Sequence, residues 1–464
     1  MFNQKTDAAY YDVYPRVFLQ DKKSEITISP RGNHVKFSKD KNYLILVFPL
    51  DSVVDRPSQG LGTFEGIKAD TIELKSIEGK LTFSYTFKRE QEHIITLCEM
   101  NEEINVLTQT SVYCLKEDLF QRRPYKIEAH SHTNHSDGKE SPDFVPPYYR
   151  MMGYDILAIT DHREFYPSQM AIDAYSNIKT NLTLFPGEEV HAPFNTIHII
   201  NFGGSFSVNE IFKNDFDKYD REVKKIIEES DIPKDLDPYK VASCIWVSKN
   251  IRQGGGLCIL GHPFYRPGRA GNVIFDQDGN KTAYEVGRMS LNYNVPSDIF
   301  IYLLKLGIFD AWEICGFSRT RNNGHLSLYL EMLEEKLDIP VVAANDSHGV
   351  AQQREYFNQV FTIVFSKDKS HEEVLNNISK GYCLAVENHY KNERMTYGKP
   401  RLMRYGRFLI DYFYPAYEEI AFMEGKLLKD YVAGIRGAKE ELERISIRAR
   451  DFMDSFFSGK EITY

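Results

Sequence analysis

Thirteen histidines occur in the chain, and six of them, His130, His132, His162, His198, His262 and His348, stand at or near the ends of apolar, strand-like runs. Three carboxylates, Asp137, Glu189 and Asp346, fall in the same kind of place. Nine imidazole and carboxylate groups with no thiolate among them suit Zn, Mn or Fe more than Ca or Mg. Spacing adds geometry: side chains at i and i+2 of a strand point to one side, so His130 and His132 can grip one ion together. Asp346 and His348 repeat that arrangement. Two such pairs, together with TDH at Thr160–His162 and GHP at Gly261–Pro263, are more than scattered hydrogen-bonding residues would supply. Ions held close together lower the pKa of a shared water and clamp a phosphate for in-line attack, so the chemistry expected of such a set is hydrolysis.

The elements that must position these groups are seven apolar runs, each ending in a polar cluster: YKIEAHSH, DILAITDH, LTLFPGEEV, TIHIINF, GLCILGHP, DAWEIC and PVVAANDSH. Helix-length segments such as HLSLYLEMLEEKL lie between several of them. That alternation predicts a parallel α/β barrel or a doubly wound sheet, and in either the C-terminal strand ends form the working face. Before it, from about Glu25 to Leu115, short β-branched and aromatic runs separated by polar turns predict an antiparallel β-sandwich. Residues 205–247 are too polar for a barrel strand and read as an insertion forming a helical rim over the pocket. DQDGN at Asp276–Asn280 reads as a hairpin turn and not as a calcium loop. Beyond Pro415, Leu427, Leu428, Tyr431, Val432 and Ile435 recur at helical spacing, predicting an amphipathic helix packed on the barrel or on a partner subunit. The expected domains are thus a β-domain over 1–122, a metal-binding barrel over 123–400 and a helical extension over 401–464.

The assembled motifs resemble the polymerase and histidinol phosphatase (PHP) superfamily of metal-dependent phosphoesterases. The similarity rests on HSHTNHSDG at His130–Gly138, GYDILAITDH at Gly153–His162, PGEEV at Pro186–Val190, the His198 run, GHP and NDSHG at Asn345–Gly349, in that order, across about Tyr125 to Asn388. The resemblance implies a distorted (β/α)7 TIM-like barrel with two or three divalent ions, and the seven runs agree with that strand number. Carried over, one ion takes His130, His132, Glu189 and Asp346. A second shares Glu189 and adds His198 and His262, and a third uses Asp137, His162 and His348. The activity implied is hydrolysis of a small phosphorylated substrate by a metal-bridging hydroxide, with Asp346 and His348 the candidates for proton transfer. A nuclease of the same superfamily, a non-catalytic metal-containing binding module and hydrolysis of an ester or carbamate are the alternatives.

Each residue has a plainer role to set beside this one. Asp137 lies in an SDG turn, where an Asp often bonds its own backbone. The resemblance implies a ligand at the second position after the Gly, so Glu189 is preferred to Glu188, which would then point away by strand alternation. His135 and His191 read as solvated or supporting imidazoles. His198 between isoleucines needs a partner, which a metal supplies. Arg266 is the foremost candidate for gripping phosphate, with Arg163, Arg269, Arg288, Arg319 and Arg321 behind it, since the guanidinium fork holds two oxygens. Tyr265 and Trp246 suit either ring stacking or packing.

Composition bounds the rest. A chain of 464 residues with formal net charge -9 predicts more than one domain and disfavours nucleic acid as a partner. No apolar stretch is long enough to cross a bilayer, no leader-like segment opens the sequence, and six dispersed cysteines form no CxxC pair. A reducing cytoplasm is the expected compartment.

Overall fold

The computed structural model describes residues 10–51, 69–102, 104–263, 297–315, 324–351, 359–389 and 393–459. The chain divides into two units, the first made of Met1–Arg123, Pro400–Glu424 and Glu440–Tyr464, the second of Pro124–Lys399 and Gly425–Lys439. No helix among the described residues is long and apolar enough to cross a membrane.

In the first unit the strands are β1 (Tyr11–Tyr14), β2 (Val17–Leu19), β3 (Lys23–Pro30), β4 (Asn42–Pro49), β5 (Asp70–Lys75), β6 (Leu81–Thr86), β7 (Glu92–Met100) and β8 (Ile104–Leu115). They form a sheet of order β1-β3-β6 and another of order β2-β8-β7-β4-β5. Period-two alternation decides which side chains are buried: Tyr43, Ile45 and Val47 of β4 are buried while Leu44 and Leu46 between them are half-buried. One apolar core draws on both sheets, with Val13, Ile26, Ile28 and Leu81 from the smaller and Tyr43, Ile45, Ile95, Leu97 and Val112 from the larger. The pairing departs from the all-antiparallel expectation at β2, which runs parallel to β8. Only Pro15 and Arg16 separate β2 from β1 in the other sheet, so the chain enters this edge by crossing between sheets and not through a hairpin. The predicted helical tail appears as helices Pro400–Tyr412, Tyr414–Val432 and Ala438–Ser458.

In the second unit the strands are β9 (Arg123–Glu128), β10 (Ile156–Ala158), β11 (Thr183–Phe185), β12 (Gly187–Val190), β13 (Ile199–Phe202), β14 (Leu257–Leu260), β15 (Ala311–Cys315), β16 (Val341–Ala343), β17 (Val360–Ser366), β18 (Cys383–His389) and β19 (Glu393–Tyr397). They sort into two sheets, of order β11-β10-β9-β17-β18-β19 and β12-β13-β14-β15-β16. Isolated bridges link His162 with Glu189 and Ser131 with Ser347, each joining a residue beyond a strand of the first sheet to the second sheet or its extension.

Two sequence expectations need correcting here. The strands are not all parallel, because β13 runs antiparallel to both β12 and β14. The third run, LTLFPGEEV, is two strands in different sheets, split at Pro186, which has no N–H for a ladder. Gly187 follows, where a Cβ would come within 2.9 Å of Thr160 Cγ2, so glycine permits the close crossing. The insertion holds helices Val208–Asn214, Phe216–Glu229 and Pro238–Gln253. Asp237 caps the third through Tyr239 and Lys240 N–H, with Pro238 in the first turn. That helix runs six residues past the expected boundary at 247 and buries Val241, Trp246, Val247 and Ile251 in the unit's core. Trp246 is therefore a packing residue, its Nε1 donating to Glu222 Oε2 at 2.7 Å. Arg266, Arg269, Arg288, Arg319, Arg321, Tyr265 and the DQDGN turn lie outside the described residues.

Candidate metal centre

The site is built where strands end and backbone hydrogen bonding gives way to side-chain bonding. Past β9, residues Ala129 to Thr133 are all buried. Glu128, the last residue of β9, accepts from His130 N–H at 3.0 Å and from Asn345 N–H at 3.0 Å, tying the tip of β9 to the segment after β16. Burial pushes its carboxyl up to about 8 despite those donors. Asp161 fixes the HSHTNHSDG loop by accepting from Thr133 N–H at 2.8 Å and from the Thr133 and Ser136 hydroxyls. Gly138 closes that loop where a Cβ would lie 2.7 Å from the His132 backbone. Asp346 sits at φ 49°, a conformation costly for a non-glycine residue and held here by the loop around it.

Around these anchors the donor atoms converge. Glu189 Oε1 is 2.7 Å from His198 Nδ1 and 3.3 Å from His262 Nε2. Glu189 Oε2 touches His162 Nδ1 and lies 3.5 Å from His130 Nε2 and 3.6 Å from His132 Nε2. Asp346 Oδ1 is 2.9 Å from His132 Nε2 and 3.3 Å from His130 Nε2. Asp137 Oδ1 is 3.2 Å from His348 Nε2 and 3.4 Å from His162 Nε2. Donors about 2.1 Å from a tetrahedral ion are roughly 3.4 Å from one another, the spacing that recurs in these contacts.

The nine sequence-predicted donors, joined by His191, fall into four overlapping groups: His132, Asp137, His162 and His348; His162, Glu189, His191 and His198; His130, His262 and Asp346; and His130, His132 and Glu189. Two of their atoms test the fit to a cation directly. His130 Nε2 and Glu189 Oε2 are fully buried and make no hydrogen bond. Such orphaned polar atoms are costly unless a ligand completes them.

Two histidines have their tautomers set by partners that can only accept. His130 Nδ1 lies 2.8 Å from Glu313 Oε1, so Nδ1 carries a proton and Nε2, which faces Glu189 and Asp346, is the nitrogen that can ligate a metal. His348 Nδ1 donates to the Asp346 carbonyl at 2.8 Å, leaving its Nε2 lone pair toward Asp137. Burial lowers His198 to about 4, so its imidazole is neutral, the form that ligates metals. Burial alone would raise Glu189, but His198, His130 and His162 outweigh it and hold its carboxyl well below the usual range. Asp346 is held low in the same way, burial being overcome by His130, His132 and His262. Among the described residues the ion partners of Glu189, Asp346 and Asp137 are imidazoles and never Lys or Arg.

Glu188 turns away and accepts from Asn201 Nδ2, Ser207 Oγ, Val208 N–H and Asn209 Nδ2. His135 is exposed and belongs to none of the groups. Two residues, Glu313 and Asp161, escaped sequence reasoning, and a third, His191, was read there only as a solvated or supporting imidazole. Glu313 also accepts from His262 N–H at 2.7 Å and so orders two donors at once. Asp161 was hidden inside TDH as a structural anchor. His191 carried the one signal that could have found it, since it stands at i+2 from Glu189 just as His132 does from His130.

No family model matches the chain, and no curated protein matches it. Among solved structures, a two-domain protein from Bacteroides vulgatus named for a PHP-like metal-dependent phosphoesterase is similar at 14% identity over 57% of this chain, with TM-score 0.35. This chain spans 65% of that protein's length. A protein from Bifidobacterium adolescentis named for a metal-dependent phosphoesterase is similar at 18% identity, covering 49% of this chain and 89% of that one, with TM-score 0.31. An amidohydrolase from Chromobacterium violaceum, with bound sulfate and no metal, is similar at 16% identity, covering 48% and 87%, with TM-score 0.29. Its solved neighbours thus include PHP-like metal-dependent phosphoesterases, at low identity and partial coverage.

Proposed function

We propose that the chain is a metal-dependent phosphoesterase of the PHP type acting on a small phosphorylated molecule, with two or three Zn, Mn or Fe ions at the strand-tip centre. The observation that carries this reading is the convergence of nine donors, in which His130 Nε2 and Glu189 Oε2 are buried without a hydrogen bond. A distorted seven-strand barrel is supported by the order β9, β10, β12, β13, β14, β15 and β16, whose breaks between sheets are spanned by the His162–Glu189 and Ser131–Ser347 bridges.

When bound, divalent ions supply Lewis acidity and lower the pKa of water. The chain's own residues do the remaining work. His130, His132, Glu189 and Asp346 hold one ion, Glu189 with His198 and His262 a second, and Asp137, His162 and His348 a third. Glu313 keeps the proton of His130 on Nδ1, so that Nε2 offers its lone pair. Arg163 is suited to grip the phosphate. Its φ of 62° is pinned on both sides, its N–H donating to the Glu189 carbonyl at 3.0 Å and its carbonyl accepting from Lys213 Nζ at 2.7 Å. Its guanidinium is exposed, and its charge is felt at His191, where burial first and then His162 and Arg163 hold the imidazole low against the pull of Glu189.

Replacing His132 by Ala tests the reading. Elemental analysis should show reduced metal, and hydrolysis of an aryl phosphate should be abolished, while far-ultraviolet circular dichroism stays that of the parent. Unchanged metal content and turnover would refute it.

A further inference from the structure

We propose that His191 is a direct ligand of the ion held by Glu189 and His198, a tenth protein donor in the centre. The inference rests on the proposed metal site and adds to it a residue that the nine-donor pattern omits. His191 follows the end of β12 at i+2 from Glu189, so the strand's alternation directs both side chains to one face. Its Nε2 is 2.8 Å from His162 Nδ1 and 3.5 Å from Glu189 Oε2, and its ring stacks on that of His198 with centroids 4.0 Å apart. The four donor atoms of His162, Glu189, His191 and His198 all lie within 4.8 Å of one another. The backbone is fixed as well: Asn209 Oδ1 accepts from His191 N–H at 3.1 Å while Asn209 Nδ2 donates to the Glu189 carbonyl at 3.1 Å.

Proton counting favours a cation over a hydrogen bond. His162 Nδ1, His191 Nε2 and Glu189 Oε2 meet at one point, yet a neutral imidazole offers one N–H and one lone pair. A single N–H from His162 Nδ1 cannot serve both acceptors, whereas a borderline divalent ion can take the His191 lone pair together with a Glu189 oxygen, leaving the one lone pair of His162 on Nε2 beside Asp137. Four protein donors also distinguish this ion from its neighbour. The side chains of Glu189, His191 and His198 are 0%, 14% and 13% exposed, against 56% and 33% for Asp137 and His348. With Glu189, His191, His198 and His262 as a full protein shell, this ion would exchange more slowly than the one at Asp137, His162 and His348, which would keep the open position.

Cobalt provides a direct test. In His191→Cys loaded with Co(II), a thiolate bound to the ion produces a ligand-to-metal charge-transfer band in the near ultraviolet, which the parent lacks because its six cysteines are buried and outside the donor groups. Zinc titration of His191→Ala gives a second readout: the tightest dissociation constant should rise more than about 100-fold, beyond the 10 to 100-fold typical of a partner that only orients a ligand. Cobalt bound to His191→Cys without the band, or a zinc dissociation constant in His191→Ala raised by about 100-fold or less, overturns the proposal. If His191→Cys does not fold, the alanine titration decides. A parent protein that binds neither metal overturns the metal-centre reading itself, an outcome distinct from failure at His191 alone.

Discussion

Arg401 in the first unit and Glu189 in the second are each ringed by groups of opposite character, and the two rings end differently. The Arg401 guanidinium is shared by two carboxylates, its Nε and Nη2 on Glu90 at 2.6 and 2.7 Å and its Nη1 and Nη2 on Asp118 at 2.5 and 2.6 Å. Four of its five N–H donors meet a permanent charge, so both carboxylates are paired within the cluster. Around Glu189 and Asp346 the ion partners among the described residues are all imidazoles, whose charge depends on protonation, and His130 Nε2 and Glu189 Oε2 are left without hydrogen bonds. One carboxylate cluster is closed by a guanidinium, while the other, lined by imidazole nitrogens, is left able to take the cations proposed above.

The largest effect that separates the two regions is expected from removing metal. A chelator should weaken protection against hydrogen exchange in β12, β13 and β14 and leave β4 and β7 of the first unit unchanged. An ion present at 1,000 times its dissociation constant contributes about 4 kcal/mol, so the slowest amides of the second unit should exchange roughly a thousandfold faster. Equal loss in both units, or none in either, would erase the distinction drawn between the clusters.

A smaller effect, on the opposite side, is expected from Arg401→Met. With the guanidinium gone, Glu90 and Asp118 face each other without a cation. Because the Arg401 side chain is 31% exposed, solvent screening limits the loss to about 2 kcal/mol, below the value for a fully buried pair. Denaturant unfolding followed by exchange in β4 and β7 measures it, and metal content should remain that of the parent. Full stability in this variant would place the triad among ion pairs that add nothing measurable.

The contrast also explains what the sequence could and could not reveal. The pairs His130/His132 and Asp346/His348 were legible because a strand repeats every two residues, and that period carries geometry without knowledge of the fold. Strand direction has no such signature, so the antiparallel course of β13 was invisible in TIHIINF, an apolar run that reads the same either way. Splitting of the third run at Pro186 was signalled by the proline itself but is decided by which sheet each half joins. Glu313 is the clearest miss: its partner His130 is 183 positions away, and the glutamate of DAWEIC has no spacing to betray it. Arginine clusters are hidden for the same reason, since Arg401 and Glu90 are 311 positions apart.

Glu313 also sets the most delicate test of the difference between a closed and an open cluster, because it acts on the metal through another side chain. Its two oxygens each have a donor, His130 Nδ1 at 2.8 Å and His262 N–H at 2.7 Å. In Glu313→Gln one of them becomes an amide NH2. Turned toward His262 it meets N–H with N–H; turned toward His130 it demands the other tautomer and moves the imidazole proton onto Nε2, where the lone pair is needed. Both arrangements cost affinity while keeping the side chain's size. The lower end of what an orienting partner contributes, about tenfold in zinc affinity or about 1.4 kcal/mol, is the expected loss, read by competition with a chromophoric chelator. An affinity equal to the parent's would mean that the lone pair of His130 is set by Glu189 and Asp346 themselves, and that the buried Glu313 orders only the backbone at His262.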